Sequence, residues 1–240
     1  MLINNNSNLN FTSLRNPIKS FDVKTHKEVL HFSEINYNHS PKNSFYNKLA
    51  EFFLDNFANT SSHPFWLNCR KPTLNVEIYN DFLKRMAKKY KLAINKPDTT
   101  ILLAKDKSKN IVAAIFTRTL RESEKVRDCD TLYIDSVAVA PEFRQSKLGK
   151  VMLNKVIDSS KNRFTDAFLV AYRESQPFYE KMGFNSLNLY NKDSERFVIE
   201  EMAKERIDYP EYAEFMTKKL QNTGDFDWLD RIRFRNLYKD

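Results

Sequence analysis

Two segments of this 240-residue sequence combine a glycine with residue types that could bind an anion or move a proton. The first, Val137 to Lys150, begins at the end of a β-branched run, passes through a turn and continues into a helical pattern. The second, Ser175 to Phe184, contains the pair Phe178-Tyr179 shortly before Gly183. The chain has only three glycines, and two of them lie in these segments. The backbone can therefore adopt unusual torsions or approach a ligand closely there.

The order of strand, turn and helix in the first segment predicts an anion-binding site. The first N–H groups of a helix have no intrahelical partner, and the helix dipole adds roughly 0.3 to 1 kcal/mol for a negative group placed there. A pyrophosphate would fit such a site. A nucleoside triphosphate loop is excluded, because it needs Gly at position 144 and Ser or Thr at position 151, where the sequence has Arg144 and Val151.

Both segments resemble motifs of the GNAT superfamily of N-acetyltransferases. Arg144 to Gly149 is similar to its signature of Arg or Gln, two residues, Gly, one residue, and Gly or Ala, with Lys147 in place of the first glycine. Ser175 to Phe184 is similar to the later motif, a Phe-Tyr pair followed by Gly-Phe. Tyr172 stands where the family often has Asn. The motifs follow the family's order and spacing, with a predicted short strand, Phe168 to Ala171, between them.

The resemblance implies acetyl-coenzyme A as co-substrate and a direct transfer of its acetyl group to an amine in a ternary complex. Backbone N–H groups would bind the pyrophosphate, with nearby cations as partners, and N–H groups at the end of the preceding strand would stabilise the oxyanion. The cofactor-binding residues that it implies are Val137, Ala138, Val139, Arg144, Gln145, Ser146, Lys147, Leu148, Gly149 and Lys150.

An alkylamine is almost wholly protonated at pH 7, so presenting its neutral form costs about 4 kcal/mol and calls for a base or a desolvating cleft. The resemblance places Asp135 where many members carry that base or a group that orders water. Asp135 also interrupts an apolar strand, so a salt bridge or an exposed strand edge is the alternative explanation, and the catalytic one is slightly favoured. Ser136, Glu122 and Glu124 are further candidates that the sequence does not separate from it.

The departing thiolate needs a proton, and a positioned phenol can supply it. Tyr179 is the candidate for this general acid, the alternative being a tyrosine that only packs against coenzyme A. An acyl-enzyme intermediate is disfavoured, since neither Cys69 nor Cys129 lies in a nucleophile motif. We expect no metal site.

Hydrophobic periodicity predicts one mixed α/β sheet domain. The resemblance implies a central, mostly antiparallel sheet with a splayed parallel strand pair, flanked by helices. The predicted elements are, in order, a strand at Glu28–Ile35, helices at Phe45–Phe57 and Val76–Tyr90, strands at Thr99–Ala104, Ile111–Leu120 and Thr131–Val139, a helix over Leu148–Ile157, a strand at Ala167–Ala171, a short helix at Ser175–Met182, a strand at Asn185–Tyr190, a helix at Glu195–Glu205 and a strand at Glu214–Leu220.

We expect a loosely ordered N-terminus at 1–27, an N-acetyltransferase domain at 28–220 and a C-terminal tail at 221–240 that forms a closing helix. The helix and Pro-containing loop at Phe53–Trp66 are similar to the substrate side of arylalkylamine N-acetyltransferase-like members.

The net charge of +8 is spread along the chain and comes without a DNA- or RNA-binding signature, so we expect no nucleic-acid partner. No run is long enough to span a bilayer, and two cysteines indicate a reducing compartment, so we expect a cytoplasmic protein. The expected partner is a small-molecule or protein amine. The sequence does not determine the oligomeric state. A GNAT-fold regulator or scaffold that binds acyl-coenzyme A without catalysis is the alternative.

Overall fold

The computed structural model describes residues 17–57, 76–96, 99–120, 131–186 and 213–221. Its strands are β1 (Phe21–Lys24), β2 (Val29–Asn36), β3 (Thr100–Lys105), β4 (Ile111–Leu120), β5 (Thr131–Val139), β6 (Asp166–Tyr172), β7 (Asn185–Ser186) and β8 (Ala213–Lys219). The described α-helices are α1 (Asn43–Phe57), α2 (Val76–Ile94), α3 (Leu148–Ser160) and α4 (Gln176–Lys181), and a 3₁₀ helix spans Pro141–Ser146. None of these described helices has the length and apolar content needed to cross a membrane.

The described strands form one sheet in the order β1-β2-β3-β4-β5-β6-β8-β7. The pair β5 and β6 is parallel, and the other neighbouring pairs are antiparallel. The chain returns from β5 to β6 through the 3₁₀ helix and α3, as a parallel connection requires. This mixed, mostly antiparallel sheet with one parallel pair confirms the predicted fold class.

Side-chain alternation along the strands divides the core into two layers. Ile101 and Leu103 of β3 pack with residues of α1 and α2 on one face of the sheet. The intervening Leu102 packs with residues of α3 on the other face. Each is at most 1% exposed, and burying such a side chain contributes about 1.5 to 3 kcal/mol. Helices on both faces therefore hold β4, β5 and β6 in the middle of the sheet.

The sheet begins earlier in the chain than the sequence predicts. β1 lies inside the segment that we expected to be loosely ordered up to residue 27, and it pairs with β2. Phe21 stacks on Phe32 with ring centroids 4.9 Å apart, and the N–H of Thr25 donates to the carbonyl of Glu28 across the turn at 2.9 Å. A four-residue strand is too short to show periodicity, so only its pairing with β2 reveals it.

The other described elements confirm the sequence prediction to within a few residues at their ends. β5 has the predicted bounds, and α2 continues four residues beyond Tyr90. The predicted strand Asn185–Tyr190 is described only over β7. The predicted helix at Glu195–Glu205 and the C-terminal tail lie outside the described residues.

Candidate active site

The parallel pairing of β5 and β6 covers only the first part of each strand. Thr131–Ile134 pairs with Asp166–Leu169, and beyond these residues the two strands separate. β5 nevertheless stays paired with β4 as far as Val139, and β6 stays paired with β8 as far as Tyr172. Each strand keeps its outer partner, so the separation opens the middle of the sheet without unfolding either strand.

A cleft of about 720 Å³ lies at this separation. It is bounded by the far end of β5, the residues after β6, the start of α3 and the helix α4. Its lining residues are Asn56, Phe57, Asp135, Ser136, Val137, Ala138, Val139, Arg144, Lys147, Gly149, Lys150, Tyr172, Glu174, Ser175, Phe178, Tyr179, Lys181 and Met182.

A β-bulge turns Asp135 toward the α1 and α2 side of the sheet. Phe116 pairs with Ser136 and Thr117 pairs with Ile134, so Asp135 has no opposite residue on β4. Regular alternation would point Asp135 and Ser136 to opposite faces, but the extra residue brings them side by side. The Ser136 hydroxyl donates a hydrogen bond to Oδ1 of Asp135 at 3.0 Å.

Two cations compensate the charge of Asp135. Nζ of Lys89 lies 3.1 Å from Oδ1, and Nε of Arg118 lies 3.6 Å from Oδ2. The Asp135 side chain is only 7% exposed, a position that an unpaired carboxylate would occupy at high cost. Two explanations that were alternatives in the sequence, a salt bridge and a cleft-facing carboxylate, thus describe the same residue.

Tyr90 stands behind this carboxylate on the buried side of α2. Its ring packs between Phe53 and Phe116, with centroid distances of 5.5 and 5.1 Å. Burial raises the pKa of Tyr90 well above its ordinary value, the charge of Asp135 raises it further, and the Ser136 hydroxyl opposes the rise. The Tyr90 hydroxyl lies near the Ser136 hydroxyl but forms no well-aligned hydrogen bond within the described part of the chain. It therefore remains a neutral phenol beside the cleft wall.

The free edge of β5 supplies backbone donors to the cleft. The N–H of Ala140 donates to Val112 on the β4 side at 2.8 Å. Backbone groups of successive strand residues point to alternate edges, so the N–H groups of Val137 and Val139 point toward the separation. The Val139 carbonyl confirms this direction, since it accepts a hydrogen bond from Nε of Arg144 at 3.2 Å.

The N-terminus of α3 forms another wall of the cleft. The first hydrogen bond of this turn runs from the N–H of Val151 to the carbonyl of Lys147 at 3.1 Å, so the N–H groups of Leu148, Gly149 and Lys150 precede the intrahelical ladder. A Cβ at Gly149 would lie 3.5 Å from the Phe178 ring, an ordinary contact. An alanine side chain would therefore fit at position 149 without a clash.

Lys147 joins the 3₁₀ helix to α3 in a left-handed conformation, with φ 58° and ψ 20°. A residue with a Cβ pays about 1 to 2 kcal/mol for this conformation, which gives a physical reason for glycine at the corresponding place of the GNAT signature. Lys147 lines the cleft together with Arg144 and Lys150, and Lys181 lines it from α4. Four cationic side chains thus line the cleft into which the N-terminus of α3 points.

A Schellman motif ends α4 and positions Tyr179. The N–H of Phe184 donates to the carbonyl of Tyr179 at 3.0 Å, and the N–H of Gly183 donates to Glu180 at 2.8 Å. Gly183 has φ +80°, as the motif requires. The Phe184 ring contacts the Tyr179 ring edge to face at 5.9 Å, and the Phe178 ring contacts it edge to face at 5.1 Å.

Tyr179 is 9% exposed and lines the cleft. Burial raises the pKa of Tyr179 far above its ordinary value, so the phenol keeps its proton throughout the physiological pH range. The described residues provide no hydrogen-bond partner for its hydroxyl. A neutral donor is therefore available to a group bound in the cleft.

Nine of the twelve residues predicted for the site line this one cleft. Gln145 and Ser146 do not line it, and Leu148 is fully buried in the core. Ser146 instead contacts His26, with Oγ and Nδ1 2.9 Å apart. Within the described ranges, no cluster of His, Cys, Asp or Glu could hold a metal ion.

Sequence reasoning missed several other lining residues. Ser175, Phe178 and Met182 belong to the second motif, so their place in the site follows from the motif itself. Asn56 and Phe57 come from the end of α1, far from either motif in sequence. No local pattern marks these two, because only the packing of α1 on the sheet brings them to the cleft.

The sequence profile of the Acetyltransferase (GNAT) family matches residues 56–184, which include β3 to β6, α3 and both cleft-lining motifs. This match covers more than half of the chain. The chain belongs to the GNAT acetyltransferase family. Acetyl-coenzyme A is the acetyl donor of this family, and the cleft lies inside the matched region.

Several solved structures are similar to the chain at low sequence identity. A GNAT-family acetyltransferase from Staphylococcus aureus Mu50 has 18% identity and a TM-score of 0.49, with 79% of this chain and 99% of that chain covered. Tetrahymena GCN5 has 12% identity and a TM-score of 0.48, with 81% and 99% covered. Arabidopsis thaliana Naa50, in complex with the bisubstrate analogue CoA-Ac-MVNAL, has 16% identity and a TM-score of 0.40, with 78% and 98% covered. No curated protein sequence matches the chain.

The conformation of Lys147 predicts that Lys147→Gly stabilises the ligand-free protein by up to about 1 kcal/mol. Glycine removes the free-energy cost of holding a residue with a Cβ in the left-handed conformation. Part of this gain is lost because glycine has more backbone entropy in the unfolded chain. Lys109→Gly is the matched control, since Lys109 has φ 65° in the β3–β4 turn, away from the cleft. Urea unfolding of both variants measures the effect. A loss of stability in both would contradict this account.

The backbone conformations of the two glycines predict that Gly183→Ala and Gly149→Ala change stability in opposite directions. Alanine at 183 must adopt φ +80° with its Cβ 3.3 Å from Nζ of Lys218, at a cost of about 1 to 2 kcal/mol. Alanine at 149 meets only ordinary contacts and improves helix propensity by about 0.5 to 1 kcal/mol. Thermal unfolding of the two variants checks the sign. Equal shifts would show that backbone conformation does not decide them.

Proposed function

We propose that the protein is an acetyl-coenzyme A-dependent N-acetyltransferase that transfers the acetyl group directly to a primary amine in a ternary complex. One observation carries this proposal: the cleft between β5 and β6 brings together Asp135, Tyr179 and the cationic N-terminus of α3. The amine belongs to a small molecule or to a protein. We do not narrow it to an arylalkylamine, because the matches do not single out that subfamily.

Acetyl-coenzyme A would enter with its pyrophosphate at the start of α3. The N–H groups of Leu148 to Lys150 and the helix dipole attract this anion, and Arg144, Lys147 and Lys150 add charge. The pantetheine arm would follow the free edge of β5, where extended backbone is available for pairing. The thioester carbonyl then meets the N–H groups of Val137 and Val139, which act as the oxyanion hole.

Asp135 would bind the amine and accept its proton. Its carboxylate is held by Ser136, Lys89 and Arg118 and still borders the cleft. This fixed position lets the carboxylate orient an ammonium group toward the thioester. Loss of the proton then yields the nucleophilic amine. Among the four candidates, Asp135 is the one that the described residues support, because its carboxylate borders the cleft. Ser136 is itself a donor to Asp135, and Glu122 and Glu124 lie outside the described residues.

Tyr179 would protonate the departing thiolate. Its raised pKa keeps the phenol neutral before the reaction, and it also makes the phenol a weaker acid than a free tyrosine. Proton transfer is still feasible because a thiolate formed in the same desolvated cleft also has a raised pKa. The Schellman motif and the two flanking rings hold the hydroxyl at a constant position during this step.

A second candidate is a regulator or scaffold that binds acyl-coenzyme A without catalysis. Two departures from the family pattern favour it, Lys147 in place of a signature glycine and Tyr172 in place of Asn. Both residues line the cleft. Cofactor binding without thiol release for any amine would support this candidate over the enzyme.

Acetyl-coenzyme A should stabilise the wild-type protein, by about 2.7 kcal/mol at 100 times its dissociation constant. Gly149→Asp should lose this stabilisation, since its carboxylate would repel the pyrophosphate. Aspartate near a helix N-terminus favours the ligand-free fold, so the loss would not come from unfolding. Gly149→Ala is the matched control that adds the Cβ without the charge. Thermal unfolding with and without acetyl-coenzyme A measures all three, and a wild-type protein that shows no shift refutes the proposed function.

Tyr179→Phe should lower kcat about 10²-fold with any amine that the wild-type protein acetylates, since a general acid typically contributes at least that factor. The Kd for acetyl-coenzyme A should change little, because the ring and its packing remain. Tyr46→Phe is the control, a buried tyrosine on α1 that does not line the cleft. Thiol release measures kcat. An unchanged kcat for Tyr179→Phe would show that Tyr179 is not the general acid and only packs in the cleft.

A further inference from the structure

Lys89 already places a primary amine at the carboxylate that the proposed function assigns to the acceptor. Its Nζ lies 3.1 Å from Oδ1 of Asp135. Asp135 borders the cleft at the bulge in β5, directly before the N–H groups assigned to the oxyanion hole. An acceptor ammonium bound to Asp135 would make the same contact that Lys89 makes here.

We infer that Lys89 is itself an acceptor, so that the enzyme acetylates its own α2 helix at this lysine. The inference rests on the proposed function, because it uses the same donor and the same carboxylate. It concerns one defined position. The other lysines of α2 are Lys84, Lys88 and Lys91, and no ion pair between any of them and Asp135 occurs in the described part of the chain.

Lys89 does not itself line the cleft, so its side chain must swing past Asp135 to reach a thioester bound there. Its side chain is 45% exposed and has a flexible four-carbon stem. Asp135 stays compensated when Lys89 moves, since Arg118 contacts its other oxygen. The departure of Lys89 therefore does not leave a buried carboxylate without a partner.

The transfer is balanced without any further reactant. The Lys89 ammonium first loses one proton, which passes to solvent by way of Asp135. The neutral Nζ attacks the thioester carbonyl, so an N–C bond forms and the C–S bond breaks. The second proton of the amine goes to the sulfur, and coenzyme A leaves as the thiol. Lys89 becomes an uncharged amide and can no longer form its ion pair with Asp135.

Acetylation would therefore change the acceptor site. With the charge of Lys89 removed, Asp135 retains the contacts with Arg118 and Ser136, and one of its oxygens is no longer occupied by an intramolecular cation. An external ammonium could then bind there without competition. Self-acetylation of Lys89 should thus increase the affinity of Asp135 for an acceptor amine, and it should also increase the mass of the protein by one acetyl group.

The test is incubation of the full-length protein with acetyl-coenzyme A, followed by intact mass and peptide mapping over time. Lys89 should be acetylated at least about tenfold faster than Lys88, because a positioned amine reacts faster than one in solution. The rate per molecule should not depend on protein concentration, since the reaction is intramolecular. Lys88 is the internal control, roughly 100° around the same helix. Lys89→Arg, which keeps a cation for Asp135 but removes the nucleophile, should lose the fast phase.

Equal labelling of Lys89 and Lys88 would overturn the inference, and so would labelling whose rate rises with protein concentration. The proposed function fails in a different way. If acetyl-coenzyme A does not stabilise the protein, the proposed function and the self-acetylation are both refuted. Binding and transfer to an external amine without fast labelling of Lys89 refutes only the self-acetylation.

The KM for that amine is compared before and after labelling. It should fall after labelling, because acetylated Lys89 no longer competes for Asp135.

Discussion

The point at which β5 stops pairing with β6 is the constraint on which the site depends. A buried strand edge needs hydrogen-bond partners, and in this sheet that need is met on the outer sides by β4 and β8. The inner edge beyond Ile134 remains free to pair with a ligand. The bulge at Asp135 lies at the same point of β5. The cleft therefore opens directly beside the residue that the bulge turns toward it.

Two left-handed residues place the groups that face β5. Lys147 turns the chain from the 3₁₀ helix into α3 and so directs the N-terminus of α3 at the cleft. Gly183 ends α4 and sets the Phe184 ring against Tyr179. Glycine adopts such a conformation without strain, whereas the Cβ of Lys147 makes the same conformation unfavourable. The chain retains this strain at the position where a lysine adds positive charge to the wall of the cleft.

Much of the fold could be predicted from the sequence, because its signals are local. The stripe of apolar residues in α1 and the β-branched run of β5 each reflect one element packing on one core face. The two motifs each span one strand-to-helix or helix-to-strand junction, so the amino-acid sequence is enough to predict that Arg144, Gly149 and Tyr179 lie together at one cleft. The sequence does not predict β1, because its four residues are too few to show a strand pattern. The ring on which its Phe21 stacks, that of Phe32, lies in another strand.

The family, the predicted cofactor and the residues of the two motifs follow from the sequence alone, since each motif is a short stretch whose spacing encodes its own turn. The surroundings of Asp135 follow only from the way the chain packs. Lys89 lies 46 residues before it on α2, and Arg118 comes from the neighbouring strand across a bulge. Contacts of this kind depend on strand register and helix packing, and a register that differed by one residue would turn Asp135 to the other face of the sheet.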